Sequence, residues 1–197
     1  MKKEINLKNE LVKQFDIFEK TNWKYKKIEL LKNKTYVVKD ENNLWGIIDK
    51  NGNIIIICKY KYIYLLKNGF FEVKNIKNLI GIIDKEENIL IDFKYKNIEL
   101  LDNGNYLVEK KYNLKGIIDK DGEVIIPVEY KWIILLSNGN YKVQKENYLY
   151  GVMDKEGKII IPCEYLPINL LDNGNYEATD KNRIWWHFDK DGNKLEK

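Results

Sequence analysis

Five aspartates, Asp49, Asp84, Asp119, Asp154 and Asp189, follow one another at a constant step of 35 residues, and each opens a short polar turn. A series of carboxylates at fixed spacing suggests calcium, and Asp189-Lys190-Asp191-Gly192-Asn193 comes nearest to the opening of a calcium loop. A helix-loop-helix calcium site needs further oxygens at set positions and a closing bidentate glutamate, which these loops lack. An aspartate ahead of a turn glycine can instead accept backbone N–H groups and shape the hairpin. That is the expected role, and no metal or cofactor is expected. Glu87 stands where the other copies have glycine, so the loop tolerates change.

Other residues able to do chemistry are few. His187 is the only histidine, in a phase that holds Ile47, Ile82, Ile117 and Val152 elsewhere, and Ser137 is the only serine, replacing an acid at a turn. Neither has a motif around it of the kind that activates a nucleophile or base, and phosphate loops and nucleophile elbows are missing. Enzyme activity is therefore not expected. Cys58 and Cys163 share a phase with Phe93 and Val128. A site that accepts all three types is an apolar packing position, where free cysteine behaves as a small hydrophobe.

What positions these residues is a unit written five times. Gly46, Gly81, Gly116 and Gly151 recur, as do Tyr25, Tyr60, Tyr95, Tyr130 and Tyr165 and a Leu-Leu pair from Leu30-Leu31 to Leu170-Leu171. Self-similarity of this period marks an array whose units bury their apolar faces on one another. In the third copy, Ile98 to Leu101 and Tyr106 to Lys110 flank the hairpin signal Asp102-Asn103-Gly104-Asn105. Gly116 to Asp119 and Glu123 to Pro127 flank a second turn at Lys120-Asp121-Gly122. The phases of Tyr106 and Val108 stay apolar in every copy while that of Leu107 runs through Val37, Glu72, Lys142 and Glu177, as in a strand with one wet face. Adjacent apolar residues in strands three and four, such as Ile47-Ile48 and Ile54-Ile55-Ile56, require cover on both faces. Pro127 and Pro162 are expected to end the fourth strand.

The expected fold is all-β: five tandem antiparallel meanders over 23–197, at about 24–58, 59–93, 94–128, 129–163 and 164–197, stacked as an open solenoid-like array. A closed five-bladed propeller is the alternative. Residues 1–22 stand outside the repeat, and Leu11, Val12, Phe15 and Phe18 at helical spacing predict a short amphipathic capping helix. The last copy turns polar, with His187, Lys194 and Glu196 in apolar phases, as suits a terminal unit.

Composition narrows the partners. The net charge is +4, Arg183 is the only arginine, and lysines alternate with acids along every copy. Arginine is the residue that reads guanine edges, so nucleic-acid recognition is not expected. No apolar run reaches the roughly 18 to 20 residues that span a bilayer, and Glu4, Lys8 and Glu10 interrupt the start where a signal peptide would be apolar. A cytoplasmic location is expected, with no membrane partner.

Leu44-Trp45-Gly46-Ile47-Ile48-Asp49-Lys50-Asn51-Gly52 and Tyr150-Gly151-Val152-Met153-Asp154-Lys155-Glu156-Gly157-Lys158-Ile159-Ile160-Ile161-Pro162 resemble the bacterial WG repeat, related to the KWG repeat. Ile80, Lys115 and Tyr150 depart from its Trp, Trp186 from its Gly, and Ile57 and Asp92 from its Pro. The resemblance covers 23–197 and implies a β-rich repeat with no common chemistry.

The chain's surplus is aromatic: five Trp and fourteen Tyr. Tyr62 and Trp132 share a phase with Lys27, Asn97 and Pro167, Tyr64 aligns with Glu29, Glu99 and Asn169, and Tyr148 with three asparagines. A phase that accepts Glu or Asn is wet, so an aromatic there is expected to be exposed, and a flat ring with a polar tip suits contact with proteins or sugars. Trp45, Tyr62, Tyr64, Trp132, Tyr148, Tyr150 and Trp185 are the candidate contacts of a non-catalytic scaffold that binds a partner protein. A carbohydrate or cell-envelope binding module is the alternative, followed by a toxin-neutralising immunity role or an enzyme.

Overall fold

A computed structural model describes residues 12–13, 15–21 and 24–195. Among the described residues the structure is all-β apart from helical residues 12–13 and 15–20 and a 3-10 turn at Lys111–Asn113. It divides into two compact units, Met1–Lys96 and Asn97–Lys197.

In the first unit, one meander comprises β1 (Lys27–Leu30), β2 (Tyr36–Lys39), β3 (Trp45–Ile48) and β4 (Ile54–Tyr60), and the next β5 (Tyr62–Leu65), β6 (Phe71–Lys74), β7 (Ile80–Ile83) and β8 (Ile89–Tyr95). The second unit holds β9 (Asn97–Leu100), β10 (Tyr106–Glu109), β11 (Lys115–Ile118) and β12 (Val124–Tyr130), then β13 (Trp132–Leu135), β14 (Tyr141–Gln144), β15 (Tyr150–Met153) and β16 (Ile159–Tyr165). A three-stranded sheet ends it: β17 (Ile168–Leu170), β18 (Tyr176–Thr179) and β19 (Trp185–Phe188). Every pairing between consecutive strands is antiparallel, as the hairpin signals and period-two patterns require.

The five aspartates build the turn that follows the third strand. In each, Oδ1 accepts the N–H groups two and four residues on: at Asp49 from Asn51 (2.7 Å) and Asn53 (2.8 Å), and at Asp189 from Asp191 (2.9 Å) and Asn193 (2.8 Å). Asn53, Asn88 and Asn193 also donate a side-chain N–H to Oδ2. The Asn88 side chain, with backbone N–H groups of Asn88 and Glu86, holds the Asp84 carboxyl below its ordinary range. Glycine at positive φ closes four of these turns. In the second copy Glu87 adopts φ 68° instead, and its carboxylate accepts the Tyr60 hydroxyl (2.9 Å) and pairs with Lys59 (2.6 Å).

The recurring strand glycine has a steric cause. A Cβ on Gly46 would lie 2.5 Å from Ile56 O, and one on Gly116 2.6 Å from Ile126 O, because the fourth strand bulges against the third here. The Cys58 phase packs over this gap; Cys163 Sγ would sit 2.8 Å from a Cβ on Gly151. Both thiols are partly buried, and burial pushes both up in pKa. Trp186 occupies the glycine phase in the last sheet, where among the described residues no fourth strand lies against it and Phe188 and Lys194 form an isolated bridge.

Neighbouring sheets within each unit pack face to face. Val37, Ile47, Ile56 and Tyr60 of the first sheet pack on Ile63, Phe71, Val73 and Ile83 of the second. Ile117, Ile126 and Tyr130 pack likewise on Ile133, Tyr141, Val143 and Met153, and Val152, Ile161 and Tyr165 on Ile168, Tyr176, Ala178 and Phe188. A buried hydroxyl ties neighbouring sheets: Tyr141 accepts from Asn103 (2.8 Å) and Asn105 (2.7 Å), and Tyr176 from Asn138 (2.8 Å) and Asn140 (2.7 Å). Where Phe71 removes the hydroxyl, the corresponding Asn33 accepts from Thr35 instead (2.7 Å).

Two expectations need correction. Pro127 and Pro162 do not end the fourth strand, which continues to Tyr130 and Tyr165. Proline sits mid-strand because its missing N–H falls on the outer edge, where no ladder bond is made. The capping segment buries a different residue from those predicted: Ile17 is 2% exposed and packs with Tyr25, Ile28, Tyr36, Val38 and Ile48, with Phe18 beside them, while Val12 and Phe15 are exposed. Leu11 lies outside the described residues. Thr21 stands 3.2 Å from where a Cβ of Gly52 would be, a place that Ile125 and Ile160 take beside Gly157 and Gly192 in later sheets.

The crossover tyrosines yield a pH prediction. Burial, and then the Glu129 charge, pushes the Tyr130 hydroxyl up to about 12, and burial is the leading cause of upward shifts at Tyr25, Tyr60 and Tyr95. These phenols keep their protons to higher pH folded than unfolded. Their stabilisation is complete below the unfolded value near 10 and is lost as pH rises toward 12. Circular dichroism followed alongside tyrosinate absorbance should show tertiary structure failing in that window. Full tyrosine ionisation with the fold intact would contradict it.

Candidate functional site

The strand registers collect most of the candidate aromatics into equivalent positions. Across the first three strands, the residue at the crossover end forms one row on one face: Lys27, Lys39 and Trp45 in the first sheet, and Tyr62, Lys74 and Ile80 in the second. In the third and fourth sheets the rows are Asn97, Glu109 and Lys115, then Trp132, Gln144 and Tyr150. Thr179 and Trp185 continue it in the last. Five of the seven candidates thus lie in this row, Tyr62 and Trp132 on the first strand and Trp45, Tyr150 and Trp185 on the third. Tyr64 lies one pleat further along β5, and Tyr148 sits in the turn between β14 and β15 at φ 64°.

Exposure divides them. Tyr62, Tyr64, Tyr148 and Trp185 are exposed, as expected. Trp45, Trp132 and Tyr150 are only half-buried, contrary to expectation. Trp45 packs beside the core shared with the second sheet, and Trp132 and Tyr150 shelter one another.

The best-built group is in the fourth sheet. Trp132 and Tyr150 meet edge to face with centroids 6.1 Å apart and planes at 86°, and Lys142 Nζ lies 5.6 Å from each centroid. Lys142 also donates to Ile168 O (2.8 Å), and burial lowers its pKa. In the first sheet Lys27 and Lys39 place ammonium groups 5.5 and 5.4 Å from the Trp45 ring. In the last, Lys194 Nζ stands 3.9 Å over Trp186, whose indole N–H donates to Asp180 Oδ2 (3.0 Å). In the second sheet the rings stack on each other instead: Tyr62 and Tyr64 lie 6.3 Å apart, nearly parallel.

These lysines escaped the sequence reading. The phase of Lys142 varies, which marked it only as wet. The signal that would have found it is the register, which sets Lys142 opposite Ile134 and Val152 and one pleat from Trp132 and Tyr150.

Open grooves run between adjacent sheets near these rows. One is bounded by Glu99, Leu100, Leu101, Leu107 and Trp132 to Leu135, another by Leu136, Lys142 and Asn169 to Leu171, and a third by Glu29 to Asn33 and Ile63 to Leu66. The recurring Leu-Leu pair is their common wall.

The family profile described as "WG containing repeat" matches residues 45–78, 80–113, 116–148 and 150–165. No curated protein sequence matches the chain. Among solved structures it is similar to the WD40 β-propeller domain of Doa1, at 12% identity and TM-score 0.31 over 79% of this chain and 60% of that one. It is also similar to Kluyveromyces lactis Hsv2, at 13% identity and TM-score 0.37 over 85% and 62%, and to BamB from Moraxella catarrhalis, at 10% and 0.35 over 86% and 59%. The chain thus spans about three fifths of each of these structures.

Proposed function

Because this chain belongs to the WG containing repeat family, we propose that it is a non-catalytic β-repeat scaffold, acting in the bacterial cytoplasm, whose aromatic row binds a partner protein. The observation that carries this reading is the Trp132–Tyr150 pair with Lys142 set against both rings. A ring face shared with an ammonium is a poor stacking platform for a sugar. It suits a partner that brings an apolar side chain to the ring edge and a carboxylate to the cation. Trp45 with Lys27 and Lys39 repeats the arrangement.

The last sheet favours a second reading. Trp185 is 49% exposed, and beside it Asn169, Glu177 and His187 line one face, with Asn169 donating to Glu177 (3.1 Å). An open indole beside amide, carboxylate and imidazole groups fits a saccharide. Pull-down from a native bacterial lysate beside a glycan array separates the two. The scaffold reading expects a protein captured at stoichiometric yield and no glycan retained. Glycan binding abolished by Trp185→Ala, with no protein captured, would replace it with the saccharide reading.

A further inference from the structure

Ile17 of the helical segment packs on the face of the first sheet that, in the fourth and fifth sheets, meets a sister sheet, and the exchange leaves a buried hydroxyl open. Tyr36 occupies the phase of Tyr141 and Tyr176, whose hydroxyls each accept two asparagine amides from the preceding sheet. Tyr36 is 5% exposed, and its hydroxyl has no hydrogen-bond partner among the described residues. Among those residues no side-chain oxygen is both sealed from solvent and unpaired, so this hydroxyl opens into the pocket that Tyr36 lines where the helical segment meets β1 and β2. A polar group set this deep is costly unless something completes its hydrogen bonding.

The rim of the pocket is cationic for reasons the sister copies do not share. Lys34 stands at φ 67° in the phase of Gly69, Gly104, Gly139 and Gly174, a conformation that suits glycine and strains a residue with a Cβ. Asn51 stands where the sisters carry Glu86, Asp121, Glu156 and Asp191. In three of them that acid pairs with the lysine before it, Lys85 with Glu86 (3.3 Å), Lys120 with Asp121 (2.7 Å) and Lys155 with Glu156 (3.6 Å). The first copy keeps the lysine, Lys50, and drops the acid. Lys13 and Lys20 of the helical segment join Lys34 and Lys50, so four ammonium groups line the pocket against one carboxylate, Asp16. Lys20 Nζ lies 3.5 Å from Lys50 O, and none of the four lysines is in an ion pair among the described residues.

We propose that this pocket binds a doubly charged phosphate group, with the Tyr36 hydroxyl donating to one oxygen and Lys13, Lys20, Lys34 and Lys50 surrounding the others. Lysine is a compact point charge that can serve a tetrahedral anion from any side, whereas a planar carboxylate is matched best by the arginine fork, which this pocket lacks. Burial, and then the Asp16 charge, holds the Tyr36 hydroxyl above its ordinary range, so it remains a donor at neutral pH. The site is separate from the aromatic row and does not depend on it.

Isothermal titration of the full chain with pyrophosphate, and co-sedimentation with phosphatidylcholine vesicles with and without phosphatidic acid, test this. Binding of pyrophosphate identifies a soluble phosphate compound as the ligand, and binding only to vesicles with phosphatidic acid identifies a lipid headgroup; in either case the variants must lose it. Tyr36→Phe, which copies Phe71, is expected to weaken binding about tenfold, the scale of one hydrogen bond to a charged group. Its unfolding midpoint without ligand should stay at the wild-type value, because the hydroxyl it removes holds no protein group. The double variant Lys34→Gly with Asn51→Asp, which restores the residues of the sister turns, should weaken binding by about the same factor with the fold intact. No binding of pyrophosphate up to about 5 mM and none to either vesicle overturns the proposal. So does a Tyr36→Phe chain that binds as tightly as wild type, since a loss confined to the charge variant is diffuse attraction to surface lysines.

Discussion

Replacing Gly151 with valine is expected to destabilise the protein by about 3 kcal/mol, the upper range for forcing atoms into a closed site. In a chain of this size that lowers the unfolding midpoint by roughly 6 to 12 °C. A Cβ at this position would lie 2.6 Å from Ile161 O, 2.8 Å from Cys163 Sγ and 2.9 Å from Cys163 N. Two of these atoms are backbone of the adjacent strand, so no rotamer change relieves the clash. The register between β15 and β16 shifts across the glycine and again between Val152 and Met153, and this bulge brings β16 so near. Denaturant melts of Gly151→Val and of Gly139→Val together give the comparison. Gly139 has φ 87° but nothing within 4 Å of its Cβ position, so its variant suffers backbone strain without collision. Equal losses from the two would refute the steric account.

Truncating Trp132 and Tyr150 together to alanine is expected to weaken binding of the captured partner by 30-fold or more, about 2 kcal/mol, the scale of an aromatic hot spot. The two rings are half-buried, Trp132 edge-on to Tyr150 and Tyr150 at the margin of the core around Val152 and Ile168, and the Lys142 ammonium keeps its bond to Ile168 O when they are gone. The unfolding midpoint should therefore fall by less than about 5 °C. Tyr141→Ala, which empties a fully buried site and strands two asparagine amides, should fall further. Isothermal titration and thermal melts on the same preparations decide the matter. Affinity that drops only in step with stability would place these rings in the core rather than at a contact.

How much of this could be read from the residues depended on whether the cause was local. The meanders were legible because Asn-Gly turns, period-two alternation and the aspartate turns each act within a few residues. The strand glycine was visible as a recurrence, but its reason was not. The obstacle to a side chain there is Ile56 O, ten residues away in a bulged strand. Pro127 was misread for the same reason: sequence says that proline cannot donate a ladder bond, but not that its side of the strand faces outward. The lysines over Trp45 and Trp132 depend on register across two hairpins, which turn lengths set but which no single phase displays. Ile17 replaced the predicted helix face because the surface it meets belongs to the first sheet.

The family profile and the sheets are out of step, and this bears on how such a chain could grow. The match at 45–78 starts with β3 and ends after β6, half in one sheet and half in the next, and the match at 116–148 spans β11 to β14 in the same way. A gene segment of one period can consequently be copied from any starting point and still insert a complete four-stranded layer, because whatever it omits at its head it supplies at its tail. Lengthening the protein by unequal recombination asks nothing of where the break falls.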